Sequence, residues 1–169
     1  MKLKIKSLFR FLYYFKSNLK FRSKGKNLIL SRGGTFIRPE EISFGDNVFI
    51  SSNFYISARN LVFKSNILIG PNLVIECDNH TYDEIGKTMF ENRDKRIISP
   101  VTIENDVWIG ANVTILSGVT IGEGSIIGAG SVVTKSQPNY SICVGNPCKP
   151  IKERFTDYEL KQHLKRIKK

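Results

Sequence analysis

Between Ile103 and Val133 an aliphatic residue recurs at every sixth position: Ile103, Ile109, Ile115, Ile121, Ile127 and Val133. That period fits neither an α-helix nor an alternating strand, so it marks an internal repeat. Three residues after each aliphatic stand Asp106, Asn112, Gly118, Gly124 and Gly130, types that tolerate positive φ at a sharp corner. Two before the next aliphatic stand Val107, Val113, Val119, Ser125 and Ser131, all small or β-branched. Each hexad therefore predicts a short strand and a tight turn. Three hexads close a triangular coil of 18 residues, which stacks Ile103 on Ile121 and Ile109 on Ile127. One coil cannot bury its own apolar interior, so the coils must stack in register.

The same pattern runs upstream. Phe44, Ile50 and Ile56 hold one frame, with Asn47 and Asn53 as corners. A slip of one residue leads to Phe63, Ile69 and Ile75, with Asn66, Asn72 and Asp78 at corner positions. The register breaks at Asn79 and resumes near Ile97, so residues 79–96 form a polar loop expelled from the solenoid. Long loops on a regular scaffold are where function concentrates. This one holds His80, one of two histidines in the chain.

The run NDVWIGANVTILSGVTIGEGSIIGAGSVVTKS, followed by VGNPCKPIKE, spans residues 105–153. It resembles the hexapeptide-repeat acyltransferases, in the branch of maltose, galactoside and surface-polysaccharide O-acetyltransferases. With the weaker upstream repeats and the NHTYD loop, the resemblance covers residues 28–155. It implies an all-β solenoid, a left-handed parallel β-helix, assembled as a homotrimer with active sites between subunits. The handedness comes from the resemblance alone, since parallel crossovers in general are right-handed. The expected organisation is a basic, aromatic helical segment at 1–27, the β-helix at 28–151 and a C-terminal helix at 152–169.

Charge changes this picture only at the start of the chain. Residues 1–26 hold nine of the basic residues and no acid, together with six aromatics. Two readings remain open: a basic amphipathic helix on an anionic membrane, or a cap on the open end of the solenoid. No recognised motif accompanies the basic patch, so nucleic acid is not an expected partner. No run approaches the ~20 apolar residues that cross a bilayer. The expected location is cytoplasmic, and at the inner membrane face if residues 1–26 bind lipid. Cys77, Cys143 and Cys148 lack metal-ligand spacing and are expected to be reduced thiols.

Acyl transfer to a hydroxyl requires that hydroxyl to lose its proton as it attacks. Histidine, with a reference pKa of about 6.5, suits that role. The resemblance places His80 as the general base. Asp78 is a candidate to orient it, although its corner position alone would also account for it; Asp83 and Glu84 are other loop carboxylates, and Asp83 is a candidate acceptor contact. Trp108 falls in the outward phase of its hexad, and the resemblance sets it beside the donor and acceptor pockets. The implied acetyl-CoA contacts are Gly110, Ala111 and Ala129 along the coil, then Thr134, Lys135, Lys149 and Lys152 at the nucleotide end. Where relatives carry serine and arginine, Ala111, Lys149 and Lys152 offer fewer hydrogen bonds. His163, in a basic helix, is expected to be solvated. Cys77 lies near His80, but an acyl-cysteine route is not expected. The implied reaction is O-acetylation of a sugar hydroxyl, with a saccharide of the cell surface or its precursor as acceptor. N-acylation of an amino sugar or an antibiotic is the alternative. A zinc hydratase of similar fold would need three histidines, so no metal is expected.

Overall fold

The computed structural model describes residues 19–167. Most of the expected N-terminal helix lies outside them. Its last residues belong to the solenoid instead, which starts with β1 (Ser23–Lys24), β2 (Ile29–Leu30) and β3 (Thr35–Ile37). The second coil is β4 (Ile42–Phe44), β5 (Val48–Ile50) and β6 (Tyr55–Ser57), and the third β7 (Leu61–Phe63), β8 (Ile67–Ile69) and β9 (Val74–Glu76). A ribbon of β10 (Asp78–His80) and β11 (Arg96–Ile98) then leaves the coil. The fourth coil follows as β12 (Thr102–Ile103), β13 (Trp108–Ile109) and β14 (Thr114–Ile115). The fifth is β15 (Thr120–Ile121), β16 (Ile126–Ile127) and β17 (Val132–Val133). The last, partial coil holds β18 (Ser141–Val144), and β19 (Lys149–Glu153) folds back on it antiparallel. Helix α1 (Asp157–Ile167) starts later than the sequence suggested, because residues 149–153 are strand. Its N-terminus is a capping box, with Thr156 and Glu159 exchanging side-chain to backbone bonds.

Strands of successive coils pair in parallel to make three faces of a prism. Face one is β1-β4-β7-β12-β15, face two is β2-β5-β8-β13-β16-β18 closed by β19, and face three is β3-β6-β9-β14-β17. Ile103 stacks on Ile121 and Ile109 on Ile127, as the period predicts. The interior is apolar: Ile50, Ile56, Ile75, Ile103, Ile109, Ile115 and Ile127 are fully buried. Ser125 and Ser131 are buried too, and each hydroxyl donates to a carbonyl three residues back. At the first coil the core ends in aromatics, with Phe21 edge-on to Phe36 and Phe44 at 5.2 and 5.0 Å.

The corners have the expected chemistry. Asn47, Asn53, Asn66, Asn72, Asp106 and Asn112 take φ between 56° and 63°, and Gly118, Gly124 and Gly130 between 70° and 78°. Asparagine suits this conformation, and its side chain adds a ladder between coils: Asn27 to Asn47 at 2.8 Å, Asn47 to Asn66 at 2.9 Å, Asn72 to Asn112 at 2.8 Å. Asp78 is the exception. The chain does not turn there but runs on as a strand paired with Ile98.

All variation in coil length sits at one edge. From face one to two, and from two to three, equivalent residues lie six apart in every coil, as in Phe44–Ile50 and Ile109–Ile115. From face three back to face one the step is eight (Phe36–Phe44), seven (Ile56–Phe63), 28 (Ile75–Ile103) and six (Ile115–Ile121). The 3-10 turn Pro39–Glu41 fills the longest ordinary step. The one-residue slip in the hydrophobic pattern is the seven-residue step from Ile56 to Phe63, and the ribbon lies in the 28-residue step.

Candidate active site

The ribbon that carries His80 rises from this variable edge. Asp78 pairs with Ile98, Asn79 with Ile97 and His80 with Arg96, and a bond from Thr81 N–H to the Lys95 carbonyl (3.1 Å) extends the ladder. Two-stranded ribbons are marginal by themselves, so the foot must be fastened. On one side the Asn79 amide donates to Ser117 Oγ of the fourth coil at 2.8 Å. On the other, the buried Asp78 carboxylate meets three guanidinium groups: Arg38 and Arg59, each at 3.5 Å, and Arg96 at 3.9 Å. Arg38 belongs to the first coil, where it takes φ 58° and donates from Nε to the Ala58 carbonyl at 2.9 Å. Arg59, of the second coil, also bonds Glu41 at 3.2 Å.

Beyond the foot the ribbon ties itself together. Glu84 pairs with Lys87 and Lys95, and the Lys87 bond is the largest cause holding its carboxyl below the usual range. Thr88 and Glu91 form a capping box at the tip. Tyr82, Ile85, Met89 and Phe90 are left exposed.

On face two, opposite that edge of the prism, Trp108 stands outward with 55% of its surface exposed. Its neighbours in register are Leu68, also exposed, and Ile126. His80 and Trp108 of one chain therefore lie on opposite sides of the prism.

Residues 100–135 match the family of bacterial transferase hexapeptide (six repeats) proteins. Over 142 residues the chain is 37% identical to a galactoside O-acetyltransferase of Escherichia coli, a stretch covering 75% of this chain and 68% of that one. A galactoside acetyltransferase solved with coenzyme A superposes with a TM-score of 0.72 at 31% identity, over 92% of this chain and 85% of that one. A hexapeptide-repeat acetyltransferase of Vibrio cholerae, solved with acetyl coenzyme A, gives 0.72 at 27%, over 92% and 79%. The chain belongs to the hexapeptide-repeat acetyltransferases. Its solenoid is their left-handed parallel β-helix.

The acetyltransferase brings some sequence-selected residues together and separates others. Gly110, Ala111 and Ala129 share the edge between faces two and three, where the Gly130 N–H donates to the Ala111 carbonyl at 2.8 Å. A Cβ on Gly110 would lie 2.6 Å from the Ala129 nitrogen, so the tight stack itself demands glycine there. Lys149 and Lys152 lie on β19, which closes face two, opposite Val144 and Ile142. Thr134 and Lys135 are exposed at the variable edge, two coils beyond the ribbon's foot. Asp83 is exposed on the ribbon. Asp78 faces arginines, which its sequence position did not reveal.

Two further side chains of the acetyltransferase have settled surroundings. Cys77 is fully buried, and burial is the largest cause raising its thiol pKa, which disfavours a nucleophilic thiolate. His163 is not the solvated side chain its helix suggested. It packs on Phe155 at 4.8 Å, with Nε2 3.8 Å from the Asp106 carboxylate. Arg154 bonds the same carboxylate at 2.7 Å, so His163 and Arg154 seat α1 against a corner of the fourth coil. Among the described residues no helix is long and apolar enough to cross a membrane.

Proposed function

We propose that this acetyltransferase moves an acetyl group from acetyl-CoA to a sugar hydroxyl, on a cell-surface saccharide or its precursor, in a site between two copies of the chain. The observation that carries this reading is the opposition of His80 and Trp108 across the prism. A histidine at one edge and an indole on the opposite face meet only when a second copy supplies one of them. Three copies around an axis would make three such clefts, which supports a homotrimer.

In the cleft His80 takes the hydroxyl proton, and the oxygen attacks the thioester carbonyl carbon. A tetrahedral oxyanion forms, for which coil backbone N–H groups are the natural donors. The C–S bond then breaks, and His80 returns its proton to the departing thiolate. The small residues Gly110, Ala111 and Ala129 allow the pantetheine arm close to the backbone. Lys149 and Lys152, with Thr134 and Lys135 one edge away, are the basic and polar groups for the phosphates. Asp83 projects from the ribbon toward the acceptor. An anionic membrane is the proposed contact of residues 1–26, of which 1–18 lie outside the described structure; Phe21, within that segment, packs on the aromatic end of the core.

The test is thiol release from acetyl-CoA with galactosides, maltose, nucleotide sugars and amino sugars, followed by NMR of the product. Acetyl on oxygen supports the proposal, whereas acetyl on nitrogen replaces it with N-acylation. A monomer at working concentrations would remove the shared site.

A further inference from the structure

We infer that Arg96, with Asp78 behind it, is a positioning residue that sets His80 for proton transfer. The inference rests on His80 as the base. In an antiparallel pair, directly opposed residues share a face, as do residues two apart on one strand. Asp78, His80 and Arg96 therefore project from the same face of the ribbon, with Arg96 directly across from His80. The Arg96 guanidinium reaches back along that face to within 3.9 Å of the Asp78 carboxylate. It thus lies on the face of the ribbon that carries the imidazole.

Asp78 is committed to the arginines. Its Oδ2 lies 3.5 Å from both Arg38 and Arg59 and its Oδ1 3.9 Å from Arg96, and its side chain is only 6% exposed. Its work is to fasten the ribbon. Arg38 from the first coil, Arg59 from the second and Arg96 from the return strand converge on one carboxylate. The orientation of β10 is thereby referred to the rigid prism rather than to the loop. The bond from Asn79 to Ser117 fixes the opposite face of the strand to the fourth coil. Of these groups, Arg96 is the one that belongs to the ribbon and touches both its foot and the histidine's own face.

Rates with acetyl-CoA and the best acceptor would be measured for Arg96→Ala, Arg96→Lys, His80→Ala and the His80→Ala, Arg96→Ala double variant. Misplacing a catalytic group by about 1 Å costs about 10²-fold, so Arg96→Ala is expected to lose kcat on that order. The KM for acetyl-CoA should stay unchanged, because the donor residues lie on other coils. Lysine can still pair with Asp78 at this distance and should restore most of the rate. In the His80→Ala background the second substitution should cost nothing more, since Arg96 acts through His80. A multiplicative loss in the double variant, or a rise in KM for acetyl-CoA at constant kcat, overturns the proposal. If His80→Ala alone retains full rate, the base assignment fails, whatever Arg96 does. Should Arg96→Ala not fold, as judged by its thermal melt, Arg96→Gln carries the same expectations.

Discussion

Two edges of this prism keep a constant step of six residues in every coil, while the third runs eight, seven, 28 and six. The constant edges are built on Asn, Asp and Gly corners and close backbone stacking, so an inserted residue would break ladders above and below. The variable edge carries a 3-10 turn, two arginines and the ribbon. The solenoid tolerates insertions at one edge because the other two maintain register. The proposed base His80 belongs to that edge, with Asp78, Arg38, Arg59 and Arg96 around the foot of its ribbon. The ribbon with the proposed base is thus set on the edge where register is least constrained.

The largest effect that tests this division is on rate. His80→Ala should lower kcat by about 10²–10⁴-fold, the usual worth of a general base, without changing the thermal melt. A drop in melting temperature of many degrees would show that the variable edge also bears the fold. Ile109→Ala should do the reverse. Its side chain is fully buried, so about 2–5 kcal/mol of stability should go, read by urea unfolding, while the ribbon is untouched.

The corners allow a finer contrast. Gly130 has open space where a Cβ would go, whereas a Cβ on Gly124 would run into the Tyr140 ring. Gly130→Asn should be near neutral, because asparagine accepts left-handed backbone. Gly124→Asn should cost on the order of 1–3 kcal/mol, as overpacking does. Equal melts for the two would refute the view that contact, not φ, distinguishes these corners.

The smallest effect expected concerns the helix end. Glu159 has its pKa lowered first by the Thr156 backbone N–H and then by its hydroxyl. A depressed folded-state pKa means stability present above the ordinary carboxylate range and lost as pH falls through the folded value. Glu159→Gln should flatten the acid side of the stability profile slightly and leave neutral activity alone.

Much of the scaffold was legible because a period of six constrains three things at once: which residue is buried, which turns and which faces outward. Stacked isoleucines, positive-φ corners and an outward Trp108 all follow from it. The period failed where the chain stopped obeying it. Asp78 occupies a corner position in the count, yet the following residues do not turn, so it becomes the buried foot of a ribbon. Its arginine partners come from 40 residues upstream, 19 upstream and 18 downstream, and no local pattern marks them. Ser23 and Lys24 gave no strand signal because their pairing is set by β4. The setting of His163 was hidden for a related reason, since Asp106 and Tyr140 approach it only after the coil has formed.

Every coil of a parallel solenoid offers its last strand as a template for another, so an uncapped stack is a potential fibre. Here β19 runs antiparallel across the end of face two, fully exposed, with Pro150 between Lys149 and Lys152. Proline withholds a donor, and lysines repel a second copy of the same edge. The hairpin that ends the coil thus limits the repeat to a finite particle, and a chain truncated before Lys149 should polymerise end to end.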